Sequence, residues 1–226
     1  MRQQLRNKYL SIPRYNRYLV TVSNNSKRAK KLYRADIRLA QSFHPILTQF
    51  EIVFRNSINE QLINHFGTSD WIIREKRGFM SDNSLRNTNF YLRNHVEKTE
   101  RQLRRLRIPI SSHKIVADQT FGFWTAFFLR HHYSLLQGQP IRIFPHKPRT
   151  ESRASIYAKI ESIRKFRNRV SHCEPLCFAG NQIDCANAVD VRNAIYDLVS
   201  WIEPDLVSFF QDLDNIQSKI QLIDNI

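Results

Sequence analysis

The sequence predicts an all-α protein, on three observations. Glycine (five residues) and proline (eight) are sparse in a chain of 226 residues. Apolar residues mostly recur at helical spacing. Cap and stop residues fall at the ends of the segments so marked.

Residues 1–26 are polar and basic and read as an N-terminal arm. Ser23-Asn24-Asn25-Ser26 closes it with a turn and an N-cap. Lys27 to Phe43 reads as helical, Pro45 as a break or a new start, and Ile46 to Phe66 as the continuation. In that second piece Ile46, Phe50, Val53, Phe54, Ile58 and Leu62 form one apolar face, and Gly67 is a good helix stop. Arg74 to Asn87, rich in Arg, Ser, Asn and Asp, is a loop. Asn89 to Arg107 is a very basic helix with a thin apolar stripe.

Pro109 and Ser111-Ser112 start another helix, centred on Phe121-Gly122-Phe123-Trp124 with Phe127-Phe128. These aromatics suit a core better than a base-stacking platform, as do Trp71 and Trp201. His131-His132 is expected to end that helix as a solvated pair. Gln137 to Arg149 holds three prolines and must be a connection. Thr150 is expected to cap a basic helix from Ala154 to Glu174. A last amphipathic region runs from Ala186 to Leu213, interrupted at Pro204. No repeat or strong linker divides the chain, so residues 27–226 form one helical domain.

The formal net charge is +15. Residues 181–226 carry Arg192 and Lys219 against eight carboxylates, a net of −6, which leaves +21 on residues 1–180. A field of that size attracts phosphate polymers or anionic surfaces. No apolar run approaches the roughly 20 residues of a membrane-spanning helix. The first residues, MRQQLRNKYLSIPRYNRYL, lack the apolar stretch of a secretory signal. The expectation is a cytoplasmic protein that faces nucleic acid and has no membrane partner. Three cysteines close together, Cys173, Cys177 and Cys185, make no disulfide framework, and their spacing does not match a zinc site. No metal or other cofactor is expected.

The chemistry concentrates in Arg167-Asn168-Arg169-Val170-Ser171-His172. On a wheel of about 100° per residue, Ile160, Ile163, Phe166 and Val170 share one side, while Arg164, Asn168, Ser171 and His172 lie within about 140° of Arg167 on the other. Asn168 and His172 are an i,i+4 pair, so the amide can orient the ring. His172 lies near a helix end, where the dipole favours its protonated form. On its own, such a pair is most often a solvated or capping arrangement.

Its chemical reading is cleavage of RNA. Imidazole takes the proton of a 2′-hydroxyl or delivers one to the departing 5′-oxygen, and Arg167 stabilises the phosphate in the transition state. Acid–base cleavage works best with two proton-transfer groups, and a symmetric dimer would supply the second. Arg164 and Ser171 are auxiliaries. Glu51, Arg55 and Asn56 share a helix, with Glu51 and Arg55 spaced for an ion pair. They either line the same cleft, with Glu51 orienting the motif arginine, or form a structural polar network. Lys98, Arg101, Arg104, Arg105 and Arg107 make either an RNA-backbone track or a solubility face, and the overall charge favours RNA.

The chain resembles the Abi-like (abortive infection) branch of the HEPN superfamily, whose ribonuclease members carry an arginine, four to six residues and a histidine, with a polar residue after the arginine. Here that signature is Arg167-Asn168 and His172, followed by Cys173-Glu174-Pro175. Further segments are similar to the family in the same order. They are Leu32-Tyr33, Phe43, Pro45-Ile46-Leu47, Phe50 to Asn56, Phe121 to Trp124, Phe144-Pro145 and Trp201 to Asp205. The resemblance spans roughly residues 27 to 210. It implies a HEPN-like helical bundle with additional N-terminal helices, a homodimer with both motifs at a composite cleft, and metal-independent endoribonuclease activity. It also implies a growth-arresting toxin of phage defence, with an antitoxin or a phage-derived trigger as further partner. Two positions depart from the family: Cys173 stands where a second histidine is frequent, and Arg34-Ala35-Asp36 replaces a common Trp-Asn. The alternatives are a non-catalytic HEPN module that binds RNA, a nucleotide or another protein, and a basic DNA-binding regulator.

Overall fold

The structure is a computed structural model that describes residues 3–226. Helices hold 73% of the chain and the only sheet among the described residues is a two-residue hairpin, so the fold is all-α.

One helix organises the rest. α3 (Ser26–Phe66) is 41 residues long, about 60 Å at 1.5 Å per residue. Asn25 caps it by accepting from the Lys27 and Arg28 N–H groups, and Gly67 ends it in the left-handed region at φ 66°, where a side chain would be strained. The break expected at Pro45 does not occur. Proline removes only the N–H that would bond Gln41, and fully buried Phe43, Ile46 and Phe50 pin the helix on both sides of that gap. Leu32, Leu39, Phe43, Ile46, Phe50, Phe54, Ile58 and Leu62 form the buried stripe of α3.

The segment read as an arm folds in its described part as α1 (Gln3–Tyr9) and α2 (Ile12–Thr21). Residues 1–2 lie outside the described residues. α2 packs on α3 and buries Tyr15 and Tyr18 in the common core, with Val22 just after the helix. After α4 (Trp71–Arg74), the stretch read as a loop contains two 3₁₀ turns, Phe79–Ser81 and Asn83–Thr88. They lead into the basic helix α5 (Tyr91–Arg105).

The aromatic run is core, but it is not the centre of one helix. α6 (Ser112–Asp118) stops at Gln119, which is extended, and Thr120 caps α7 (Phe121–Thr125). The interruption is stabilised by side chains. Gln119 donates to Thr99 Oγ1 (3.1 Å) and to the Ile115 carbonyl (3.2 Å), while Thr99 donates to Asp118 (2.8 Å). A 3₁₀ turn, Ala126–Phe128, completes the block, and Phe50, Phe54, Phe121 and Phe128 pack ring against ring.

His131 and His132 fall inside α8 (Arg130–Leu135) and are not the expected solvated pair. His132 is 0% exposed, its Nδ1 lies 2.9 Å from the Ala126 carbonyl, and burial pushes its pKa down to about 4. The ring is therefore neutral and donates that bond.

α9 (Arg153–Ser171) is the motif helix. Its cap is Ser152, in a reciprocal box with Ser155, rather than Thr150, and it ends at Ser171 rather than Glu174. Ile156, Ile160, Ile163 and Phe166 face the core, and Phe166 meets Phe43 of α3 at 4.5 Å between ring centroids. A hairpin of β1 (Phe178–Ala179) and β2 (Gln182–Ile183) comes next in the chain. α10 (Ala186–Ile202) packs along α9, and Pro204 separates it from α11 (Leu206–Leu213). A further helix, α12 (Ile216–Asp224), lies on α3 with Ile216, Ile220 and Ile223 buried. Of the C-terminal acids, Asp197 pairs with Lys159 of α9 (2.7 Å), and Asp214 with Arg192.

Candidate functional site

The motif lies where the C-terminal third of α9 passes the middle of α3. Burial of Ile163 and Phe166 sets the rotation of the helix and leaves Arg167 and Asn168 half-buried, with Ser171 and His172 exposed. Arg167 reaches across to α3, where its Nη2 lies 3.5 Å from Glu51 Oε2. Their side chains are 41% and 23% exposed. This is a single, long contact at the surface, so it orients the guanidinium without consuming all of its donors.

The neighbouring residues take other roles. Glu51 and Arg55 do not form the ion pair their spacing allows. Glu51 turns to Arg167, and Arg55 Nε donates to Asn56 Oδ1 (3.2 Å). Arg164 is bound at two points by Glu161 of its own helix, at 2.7 and 2.6 Å. The Glu161 hydrogen bonds raise its pKa above the ordinary arginine value, so its charge is already matched. Asn168 joins His172 through the main chain, the His172 N–H donating to the Asn168 carbonyl at 2.9 Å. No bond links the Asn168 amide to the ring. His172 forms the C-cap of α9, beside carbonyls that carry the negative end of its dipole.

The segment after the motif is held more firmly. Arg169 donates to the Pro175 carbonyl and lies 3.6 Å from Glu174. The Cys173 and Glu174 N–H groups return to the carbonyls of Val170 and Arg169, with Cys173 left-handed at φ 55°. Asp36, buried on α3, accepts the N–H groups of Leu176 (2.9 Å) and Cys177 (3.1 Å) and the Tyr18 hydroxyl (2.5 Å). Asp36 raises the Tyr18 and Cys177 pKa values further, after burial. Neither Asp36 nor Arg169 is among the expected site residues. Asp36 does fall in the one early segment where the resemblance departs, and that is the only sequence signal for it.

Beside this end of α9 lies a cavity of about 740 Å³, between Val170, Cys173 and Glu174 on one wall and Tyr33 and His44 of α3 and Arg14 of α2 on the others. Cys173 is exposed, Cys177 and Cys185 are buried, and all three are free. Burial pushes the Cys185 thiol up to about 12. Among the described residues no three His, Cys, Asp or Glu side chains are grouped to hold a metal ion.

Burial raises the pKa of Tyr91, in the first turn of the basic helix, and the Arg164 charge of the motif helix acts against that rise. The C-terminal cations of α5, Arg101, Arg104 and Arg105, are exposed. With Lys76, Arg77 and Arg93, two of them, Arg101 and Arg104, border a groove of about 420 Å³. Glu97 is shared loosely by Arg93 (3.7 Å) and Arg101 (3.8 Å), and buried Glu100 takes Lys76. The groove stays positively charged. Among the described residues no helix is long and apolar enough to cross a membrane.

No protein-family model matches the chain, and neither does any curated protein or solved structure.

Proposed function

We propose that the chain is an endoribonuclease of the Abi-like HEPN kind, cutting RNA without a metal ion by attack of the 2′-hydroxyl on the adjacent phosphate. The observation that carries this reading is the surface pairing of Arg167 with Glu51, close in the chain to exposed His172, on a helix whose opposite face is buried in the core. In this reading Arg167 binds the scissile phosphate and stabilises its dianionic transition state. His172 moves the proton at the 2′-oxygen or the 5′-oxygen. Glu51 positions Arg167. Asn168 sets the end of the helix through its carbonyl, and Ser171 is exposed beside the ring. Arg164 contributes least, since Glu161 holds its donors and matches its charge.

A single histidine is half of an acid–base pair, so the active unit is a homodimer with two motifs at one cleft. The positive groove beside α5 is where the rest of the strand runs. RNA is thus the partner, and a growth-arresting toxin of phage defence, kept in check in the cytoplasm by an antitoxin or released by a phage-derived trigger, is the biological role this chemistry suits. A non-catalytic RNA-binding module is the second reading. It is favoured by the exposed His172 ring, which no side chain among the described residues orients for proton transfer, while Arg167 keeps donors for a docked phosphate.

The test is cleavage of total RNA by the purified chain in the presence of a chelator, beside His172→Ala. The expected result is cleavage leaving 2′,3′-cyclic phosphate ends in the wild type, at least about 100-fold slower in the variant, the scale of a lost general acid–base group. Equal cleavage by both, or none by either, removes the nuclease.

A further inference from the structure

A further pocket lies on the same stripe of α3 as Glu51. Arg55 and Asn59 come after Glu51 at i+4 and i+8, about 6 and 12 Å farther along the helix axis. With Asn56, Ser69 and His113, the latter in the first turn of α6, they border a pocket of about 190 Å³. That is below the roughly 300 Å³ of a drug-sized site and fits a phosphate with its sugar.

The hydrogen bonds already made define the groups the pocket can offer. The Trp71 indole N–H, which can only donate, bonds Asn59 Oδ1 at 3.0 Å, which fixes the orientation of the amide and leaves its NH₂ to donate. Arg55 Nε, also a pure donor, bonds Asn56 Oδ1, so Asn56 too presents NH₂ and Arg55 keeps its two terminal nitrogens. The Ser112 hydroxyl, at the edge, gives its proton to Asp70 at 2.6 Å. No carboxylate lines the pocket. A guanidinium, two amide NH₂ groups, the Ser69 and Ser112 hydroxyls and an imidazole thus border the space beside Ile63, Val116 and Ala117, and the Asp70 carboxylate meets its edge at Ser112.

We infer that this pocket is a phosphate subsite for the RNA strand, about one or two nucleotides from the phosphate held by Arg167. The inference rests on the nuclease reading for the identity of the strand, and on the donor set alone for the phosphate. Continuity along α3 with the Glu51–Arg167 pair favours a strand over a free ion, because one extended backbone meets both sites in turn.

The experiment is equilibrium binding of a 2′-O-methylated RNA, which cannot undergo 2′-hydroxyl attack, across a salt series. It compares the full chain with Arg55→Ala, His113→Ala and the double variant. The double variant is expected to bind about tenfold more weakly, with a salt slope smaller by about 0.7, the change for one phosphate no longer neutralised. Both side chains are at the surface, so unfolding curves should coincide with wild type; Arg55→Lys, which keeps the charge, should recover part of the affinity. Wild-type affinity and slope in the double variant overturn the subsite, whatever the cleavage assay gives. Weakened binding in a chain that cuts no RNA supports the subsite and removes only the nuclease. Inorganic phosphate titrated against the His113 ring resonances is the second arm. Saturation by phosphate, with RNA binding unchanged in the double variant, assigns the pocket to a free anion and overturns the proposal.

Discussion

Two carboxylates of α3 face the motif segment, and they are used in opposite ways. Asp36 is buried and accepts three hydrogen bonds, two of them from backbone N–H groups more than 100 residues away. Glu51, four turns further on, holds Arg167 by one 3.5 Å contact that solvent reaches. The difference separates framework from site. The chain beyond the motif is fixed by bonds whose loss leaves buried polar groups without their partners. The arginine is only steered, so in the proposed reaction it can exchange Glu51 for a phosphate without a large desolvation cost.

Removing the two carboxylates sharpens this contrast. Asp36→Ala leaves a tyrosine hydroxyl and two backbone N–H groups buried without acceptors. It should destabilise the fold by roughly 3–5 kcal/mol, read as a lower urea midpoint. A loss under about 1 kcal/mol would mean that Asp36 is no clamp. Glu51→Gln should cost less than about 1 kcal/mol of stability, as exposed pairs do. Its effect should appear as about a tenfold lower kcat/KM on RNA, since a loss of positioning of about 1.4 kcal/mol is that large a factor. Glu51→Asp, which keeps the charge, should recover part of the rate. A Glu51 variant as unstable as Asp36→Ala would erase the distinction.

The same division explains what could be read from residue order. The stripe of α3, the core role of the aromatic block and the polar strip of α9 are local periodicities, and they were legible. Residue order leaves Glu51 as the partner of Arg167 one of two readings, because residue types suggest such a pair but only packing decides it. The continuous passage through Pro45 was not legible. A proline deletes one hydrogen bond locally, whereas the burial of Phe43, Ile46 and Phe50 that offsets it is tertiary. The break at Gln119 and the burial of His132 escaped for the same reason, since Thr99 and the Ala126 carbonyl are brought to them by the fold. Asp36 was the least visible, its partners Leu176 and Cys177 lying 140 and 141 residues away.

The central claim is that two copies of the motif share one cleft, and Cys173 offers a reporter next to His172. It is the exposed cysteine of the three, the other two being buried, so one spin label can be placed at the motif. Labelled chain should be measured at the concentration where RNA cleavage is assayed. The account predicts strong dipolar coupling between copies, with a single short inter-label distance. Absence of coupling in an active sample, or a distance that sets the two motifs on opposite faces of a dimer, would contradict it.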